Sequence, residues 1–301
     1  MIEKARRAAR ERPLIRWFGG KFQLRKWVIN HFPPHSLYVE PFGGGASILL
    51  HKPRCTAEIY NDLDVEIVHL FRILRDEALA PRLIRAVELT PYARQEFSDA
   101  YEPTTHPIER ARRMVTRAFM GYGTDGALGT YKTGFRGKAR RGEAVPAQEW
   151  ANYPIQLRTI CARIQSGVTI ENIDALELME REDGEGVLFY VDPPYPPDTR
   201  SRGNRRRGAG YHVYNHEMDG PDHEKLLAFL LERKAMVVLS SYPNELYESL
   251  LGAAGWRQLR HAAFADGGRP RTEVLWLNPA AAAALDRHRK EHGPLFEDAN
   301  G

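Results

Sequence analysis

Cysteine is nearly missing: Cys55 and Cys161 are the only two in 301 residues. A disulfide framework and a four-cysteine zinc site are therefore excluded, and a reducing, cytoplasmic setting is the expectation. Long apolar runs are also missing. None approaches the ~18–20 residues that cross a bilayer, so no membrane association is expected. The opening stretch MIEKARRAARER is basic with no apolar segment behind it, unlike a secretory leader. Repeats are absent, and Ala280–Ala284 is the one low-complexity stretch. No H-E-x-x-H arrangement occurs among the eleven histidines, and His212, His216 and His223 sit irregularly beside Asp222 and Glu224, so no metal is expected. What is present is globular composition: 43% hydrophobic, 27% charged and 10% aromatic residues.

The net charge of +4 hides an asymmetry. Residues 110–142 hold nine Lys or Arg (Arg110, Arg112, Arg113, Arg117, Lys132, Arg136, Lys138, Arg140, Arg141) against one acid, Asp125. Residues 200–207 add five Arg and no acid, which leaves the rest of the chain at −9. Positive charge gathered in two segments of an otherwise acidic protein points to a polyanion. Tyr122, Tyr131 and Phe135 are interleaved with the first segment.

Strand and helix patterns alternate. Short apolar runs at Ser36–Glu40, Ala57–Asn61, Val187–Val191, Met236–Ser240 and Glu273–Leu277 read as strands, Val187–Val191 as one buried on both faces. Helical spacing marks Val65–Leu74 and Leu226–Leu231. This order predicts an α/β fold with a doubly wound, mostly parallel sheet. Residues 72–160 break the alternation and read as an inserted, mainly helical domain with one long glycine-rich loop, long enough to be functional.

Two constellations carry chemistry. The first is Pro41-Phe-Gly-Gly-Gly45, read as a glycine turn that follows a strand and opens a helix. Asp62 ends the next strand, where an acid commonly accepts ribose hydroxyls, so a nucleoside-containing cofactor fits. The pattern is not G-x-G-x-x-G, and Gly19-Gly-Lys21 is followed by Phe22, so neither a NAD fingerprint nor a P-loop is present. Glu40 sets a carboxylate where a pyrophosphate would sit, which suits a cationic cofactor such as a sulfonium. The second constellation is Asp192-Pro-Pro-Tyr195 at the end of a buried strand. The prolines remove two N–H donors and leave carbonyls as acceptors. Asp192 and the Pro193 carbonyl could hold both hydrogens of one amino group, and Tyr195 offers a flat ring to a heterocycle.

Trp17-Phe-Gly-Gly-Lys21, Val39-Glu-Pro-Phe-Gly-Gly-Gly45, Asn61-Asp62, the basic insertion and Asp192-Pro-Pro-Tyr195 fall in one order that resembles the Dam-like DNA adenine-N6 methyltransferases. Phage-type members look closest, on Arg117-Ala-Phe-Met-Gly-Tyr-Gly123 and Thr133-Gly-Phe-Arg136. The resemblance covers residues 13–278. It implies a Rossmann-like methyltransferase core over 13–71 and 161–278, a target-recognition domain over 72–160, and tails at 1–12 and 279–301. It implies methyl transfer from S-adenosylmethionine, without a metal, to a flipped-out adenine of DNA, expected to be double-stranded. Trp17 and Lys21 would contact the methionine end of the cofactor, and Glu40 its ammonium or sulfonium side. Phe42, Gly43 and Gly45 would line the turn and Asp62 would hold the ribose. Ile173 and Asp174 would lie near the cofactor adenine. Asp192, Pro193, Pro194 and Tyr195 would hold the target base, with Asp192 also beside the cofactor. Glu273 matches a late-strand position near the base pocket.

Arg117, Tyr122, Lys132, Arg136, Lys138, Arg140 and Arg141 are the DNA-contacting candidates, with Arg136 the candidate base reader after Phe135, whose ring could wedge into the emptied stack. Ala127–Gly142 departs from the GATC-specific members, so the motifs specify neither a recognition sequence nor a nuclease partner of a restriction-modification pair. Methylation of cytosine N4 or of RNA adenine, a non-catalytic nucleic-acid-binding module, and a nicotinamide dehydrogenase are the competing readings. Cytosine-C5 transfer needs a nucleophilic cysteine after a proline, and neither Cys55 nor Cys161 stands in that context; Cys161 reads as core.

Overall fold

The computed structural model describes residues 12–124, 126, 127, 129, 132–138, 145–195, 216–264 and 270–293. These form a mixed α/β structure around a seven-stranded sheet. The strands are β1 (Leu37–Glu40), β2 (Ala57–Asn61), β3 (Val168–Glu171), β4 (Val187–Val191), β5 (Met236–Ser241), β6 (Arg257–Phe264) and β7 (Pro270–Leu277). Their order in the sheet is β3-β2-β1-β4-β5-β7-β6. Strand β1 pairs in parallel with β2 and with β4, β4 pairs in parallel with β5, and β7 runs antiparallel between β5 and β6. The chain thus winds outward from β1 on one side and from β4 on the other. In such a sheet the crevice at the carboxyl ends of the two inner strands is where ligands bind.

The sequence explains these strands. All five residues of β4 and all six of β5 are buried, which matches the unbroken apolar run of β4 and the apolar run Met236–Leu239 of β5, followed there by the buried Ser240 and Ser241. One face of the sheet packs Val39, Ile59, Phe189, Val191, Val237 and Leu239 against Leu226, Leu230 and Leu251 of the covering helices. Two strands escape the sequence pattern. Strand β3 is four residues with one buried position, and β6 is an edge strand carrying Arg257, Gln258 and Arg260. Charge on an edge protects it from pairing with another chain and also conceals it from a hydrophobic search.

Ten α-helices are described: α1 (Arg25–Asn30), α2 (Val65–Arg75), α3 (Leu79–Leu89), α4 (Arg94–Asp99), α5 (Pro107–Met120), α6 (Pro146–Gln165), α7 (Ala175–Arg181), α8 (Gly220–Leu231), α9 (Glu245–Ala253) and α10 (Pro279–His292). Helix α8 begins earlier than its apolar spacing suggests, because Asp219 and Asp222 close a reciprocal capping box there. The helix expected directly after the glycine turn does not form. Residues 44–51 are successive turns with one helix-like bond, Leu50 N–H to the Ala46 carbonyl at 3.1 Å. Gly44 (φ 46°) and Ala46 (φ 49°) are both left-handed, and two such residues in three cannot start a right-handed helix.

The chain divides into two compact units: residues 1–22, 44–50 and 65–168 in one, and 23–43, 51–64 and 169–301 in the other. The first is helical. Within it α3 packs on α2, α5 and α6, around Leu70, Phe71, Leu83, Val115, Phe119 and Leu157. The second holds the sheet. The helical unit takes in more than residues 72–160, since the turns of 44–50 and the segment before α1 belong to it.

Candidate active site

In the sheet unit, three strand-end segments are tied together by one side chain. Asn61, fully buried at the end of β2, donates from Nδ2 to the Pro41 carbonyl (2.9 Å) and the Ile173 carbonyl (3.0 Å), and accepts the Ile173 N–H at Oδ1 (3.0 Å). Gly43 N–H donates to the Asn61 carbonyl at 2.8 Å, and Asn172 Nδ2 to the Asp62 carbonyl at 2.7 Å. Asn61 is the residue that motif reading passed over in favour of Asp62. Its signal was an amide at the end of a strand buried at four of its five residues. Asp62 itself forms an Asx turn, its Oδ1 accepting the Asp64 N–H at 2.8 Å. Glu40 is 3% exposed at the end of β1, and the Tyr38 hydroxyl donates to its Oε2 at 2.8 Å. Burial raises the Tyr38 and Tyr60 hydroxyls well above their ordinary pKa, with Glu40 adding to Tyr38 and the carboxylates of Asp62, Glu40 and Asp64 adding to Tyr60. Both phenols remain donors, and carboxylates surround them.

Phe42 and Ile173 lie partly buried against the sheet core. Asp174 caps helix α7, its Oδ1 accepting the N–H groups of Leu176 (2.9 Å) and Glu177 (3.1 Å). A carboxylate spent on a cap is a local structural device, whatever else it meets.

Asp192 follows the last residue of β4, and β4 stands in the middle of the sheet next to β1. Its position relative to Glu40 is set by the β1–β4 register, which aligns Val39 with Phe189. Tyr195 is 7% exposed. Its hydroxyl lies 2.9 Å from Ser240 Oγ and donates to Glu273 Oε2 at 3.2 Å, and its ring meets Tyr242 edge-on at 4.4 Å. The open stacking face expected of this ring is thus largely covered. Burial raises the Tyr195 hydroxyl well above its ordinary pKa, helped by the charges of Asp192 and Glu273.

In the helical unit Trp17 lies against the second half of the glycine turn. A Cβ on Gly44 would come 2.5 Å from Trp17 Nε1, and one on Gly45 3.1 Å from Trp17 Cβ. Lys21 is buried, its Nζ donating to the Gly19 carbonyl at 3.0 Å.

A family model of D12 class N6 adenine-specific DNA methyltransferases matches residues 17–258. The chain belongs to that family. It is 22% identical over 252 residues to the DNA N-6-adenine-methyltransferase of Escherichia phage P1, covering 79% of this chain and 31% of that protein. It is 26% identical over 208 residues to the DNA adenine methylase of Haemophilus influenzae, covering 62% of this chain and 65% of that protein. With the DNA adenine methylase of Escherichia coli K12 it shares 24% over 246 residues, 79% of this chain and 83% of that protein. The chain therefore spans about a third of the phage protein and just under two thirds of the Haemophilus one.

Methyltransferases of this family imply S-adenosylmethionine as cofactor. Among the described residues no group of three or more His, Cys, Asp or Glu could hold a metal, and no helix is long and apolar enough to cross a membrane.

The basic segment of this D12-class chain is less positive than its composition. Arg110 Nε bonds both carboxylate oxygens of Glu66 (3.1 and 3.0 Å), Arg112 pairs with Glu109 and Glu96 (2.6 and 3.0 Å), Arg113 with Glu109 (2.7 Å), and Arg136 with Glu149. The Arg112 and Arg113 guanidiniums hold the Glu109 carboxyl down at about 2. Arg117 donates to the Ala100 carbonyl at 2.6 Å and lies over the Tyr101 ring. Lys132 is exposed and donates to Ser98 Oγ at 2.8 Å, and Lys138 is exposed. Tyr122 is 46% exposed, whereas Phe135 packs among Tyr92, Phe97 and Arg94. The exposed ring beside the Gly121–Phe135 bridge is therefore Tyr122, and the wedge expected of Phe135 has its ring engaged in the fold. Arg140, Arg141, Tyr131 and the arginines of 200–207 lie outside the described residues. Cys161 is buried in α6, where burial raises its thiol to about 11 and disfavours the thiolate.

Proposed function

We propose that the chain methylates the N6 amino group of adenine in DNA, using S-adenosylmethionine. One observation carries the reading: Asp192-Pro-Pro-Tyr195 leaves the carboxyl end of the middle strand, beside the strand that ends in Glu40, where the sheet reverses its winding.

The residues present fit the cofactor. Glu40 is a buried carboxylate fixed by Tyr38, which suits a cationic ligand and would repel a phosphorylated one. Gly43 has no room for a Cβ, so backbone alone occupies that bend. We assign Asp62, at the end of the next strand, to the ribose hydroxyls, and Phe42 and Ile173 supply apolar surface. Trp17 and Lys21 are assigned to the methionine end, Gly45 to the lining of the turn, and Asp174 to the neighbourhood of the cofactor adenine. S-adenosylmethionine supplies, when bound, an electrophilic methyl group on a sulfonium.

The remaining chemistry belongs to the chain and the base. The adenine amino nitrogen is a poor nucleophile because its lone pair is delocalised into the ring. Asp192 and the Pro193 carbonyl accept its two hydrogens, favour a pyramidal nitrogen and so localise the lone pair. Pro193 and Pro194 bring no N–H to compete for those acceptors. Asp192 then stabilises the positive charge that develops on the nitrogen. Extracting the adenine from a duplex costs a few kcal/mol. We assign recognition of that duplex to residues 72–160, with Lys132 and Lys138 on phosphate, Arg140 and Arg141 beside them in sequence, and Tyr122 against the bases. Arg117 and Arg136 brace the loop, Arg136 keeping its assignment as base reader on exchange of its Glu149 partner.

Nucleoside mass spectrometry of DNA treated with enzyme and cofactor tests the reading, with N6-methyladenine as the expected product. Asp192→Ala is expected to lower transfer by roughly 10²–10³-fold while calorimetric cofactor affinity stays near the parent's. N4-methylcytosine instead, or more than about a tenth of parental transfer in Asp192→Ala, would refute it.

A further inference from the structure

We infer that Glu273, with Arg271 and Tyr242, positions the Asp192–Tyr195 turn by holding Tyr195 at both its hydroxyl and its ring. The inference rests on the reading of that turn as the methyl-transfer site. Because residues 193 and 194 are both proline, the turn has no N–H at either position with which to bond a neighbouring strand. With two donors missing, side-chain contacts gain weight, and the Tyr195 side chain reaches back into the sheet. The hydroxyl meets Ser240 of β5 at 2.9 Å and Glu273 of β7 at 3.2 Å. Arg271 stands two residues before Glu273 on the same face of β7. Its Nη2 lies 2.9 Å from Glu273 Oε1, and its Nη1 donates to the Tyr242 hydroxyl at 2.7 Å. The Tyr242 ring returns to the Tyr195 ring at 4.4 Å. The circuit is closed, from hydroxyl through carboxylate, guanidinium and second phenol back to the ring.

Strand pairing alone does not require this carboxylate. The ladder from Val238–Leu277 to Ser241–Val274 already fixes β5 against β7. Glu273 is 0% exposed, and a buried charge is tolerated only where it is paired and hydrogen-bonded. What the charge adds is a stronger, more directional bond to the Tyr195 hydroxyl than a neutral acceptor gives. A small displacement of a reacting group costs rate steeply, so a stiff tether one residue beyond the proline pair serves the transfer step.

The test uses the full chain with Tyr195→Phe, Glu273→Gln and the double variant. Steady-state transfer is measured together with hydrogen exchange of the 187–195 segment. Each single variant is expected to lower kcat by about tenfold, with KM for cofactor and DNA within about twofold of the parent. The double is expected to lose no more than the worse single, since both cut one connection. Exchange of the segment is expected to quicken in all three. Should Glu273→Gln fail to fold, Tyr195→Phe with Ser240→Ala carries the same comparison. Parental kcat in a folded, active variant overturns the positioning role, as do losses that multiply in the double or exchange that does not change. Quickened exchange in a chain whose parent transfers no methyl to adenine sinks the proposed activity and leaves the tether standing.

Discussion

Replacing Gly43 by alanine isolates the geometry of the glycine turn. Gly43 does not occupy the left-handed region, so backbone conformation raises no objection to a side chain. The objection is volume. An added Cβ would lie 2.2 Å from Tyr60 Cε2, 2.6 Å from Tyr60 Cδ2 and 2.9 Å from the Asn61 carbonyl oxygen. Neither neighbour can yield cheaply. Tyr60 is 0% exposed, and Asn61, also 0% exposed, is bonded to Pro41 and Ile173. Overpacking a dense core costs about 1–3 kcal/mol, and a contact that forces backbone apart belongs at the upper end, about 3 kcal/mol. At roughly 2–4 °C per kcal/mol for a domain of 150–250 residues, the melting temperature is expected to fall by about 6–12 °C. The displaced bend carries Glu40 and Phe42, so calorimetric affinity for S-adenosylmethionine is expected to drop at least about tenfold. Gly252→Ala on α9 is the control. Its Cβ would meet nothing within 4 Å, and removing a helical glycine should raise the melting temperature slightly. Gly43→Ala melting within about 2 °C of the parent with parental cofactor affinity would refute the reasoning.

Protonation of His35 is resisted by burial, which lowers it to about 4 from an ordinary 6.5, with the nearby Lys52 charge adding to the effect. Below pH 6.5 the unfolded chain takes up a proton that the folded chain refuses, so stability is full above that pH and is lost down to about pH 4, by up to about 3 kcal/mol. His35→Gln should abolish that part of the difference between denaturation midpoints at pH 7 and pH 4.5; an unchanged difference would exclude His35 as its source. Lys138→Ala should reduce the slope of log affinity against log salt by about one unit without altering sequence preference, whereas Arg136→Ala, which breaks the pair with Glu149, should lower stability and relax the choice of base at one position. Fluorescence titrations over a salt series and thermal melts separate the two, and an equal slope change for Arg136 would put it on phosphate instead.

The order of elements was legible because the buried strands carry their own pattern. Val187–Val191 is apolar at every position and ends at Asp192, so both a strand and the chemistry at its tip could be read from five letters. The glycine turn was legible as a turn and misread as the start of a helix, since the left-handed pair Gly44 and Ala46 is imposed by packing and an alanine gives no local sign of it. Strands β3 and β6 were not legible, because edge strands bury too little to alternate. Asp62 was found from its place after a strand, while Asn61 was not singled out. Its importance lies in three bonds to Pro41 and Ile173, 20 and 112 residues away, and no window of sequence contains them.

The same limit governs charge. A count over residues 110–142 treats each arginine as available to a polyanion, yet whether it is available depends on acids elsewhere in the chain. Arg110 meets Glu66, 44 residues back, Arg112 reaches Glu96 as well as Glu109, and Arg136 takes Glu149 from the following helix. Charges engaged this way stiffen the helices that present the loop, and a paired guanidinium gains little from phosphate because it must first give up its carboxylate. Among the described residues of the segment, Lys132 and Lys138 are the exposed cations. Within the described residues of 110–142, the electrostatic footprint proposed for DNA thus narrows to the loop after α5, and α5 itself, richer in arginine, becomes its support.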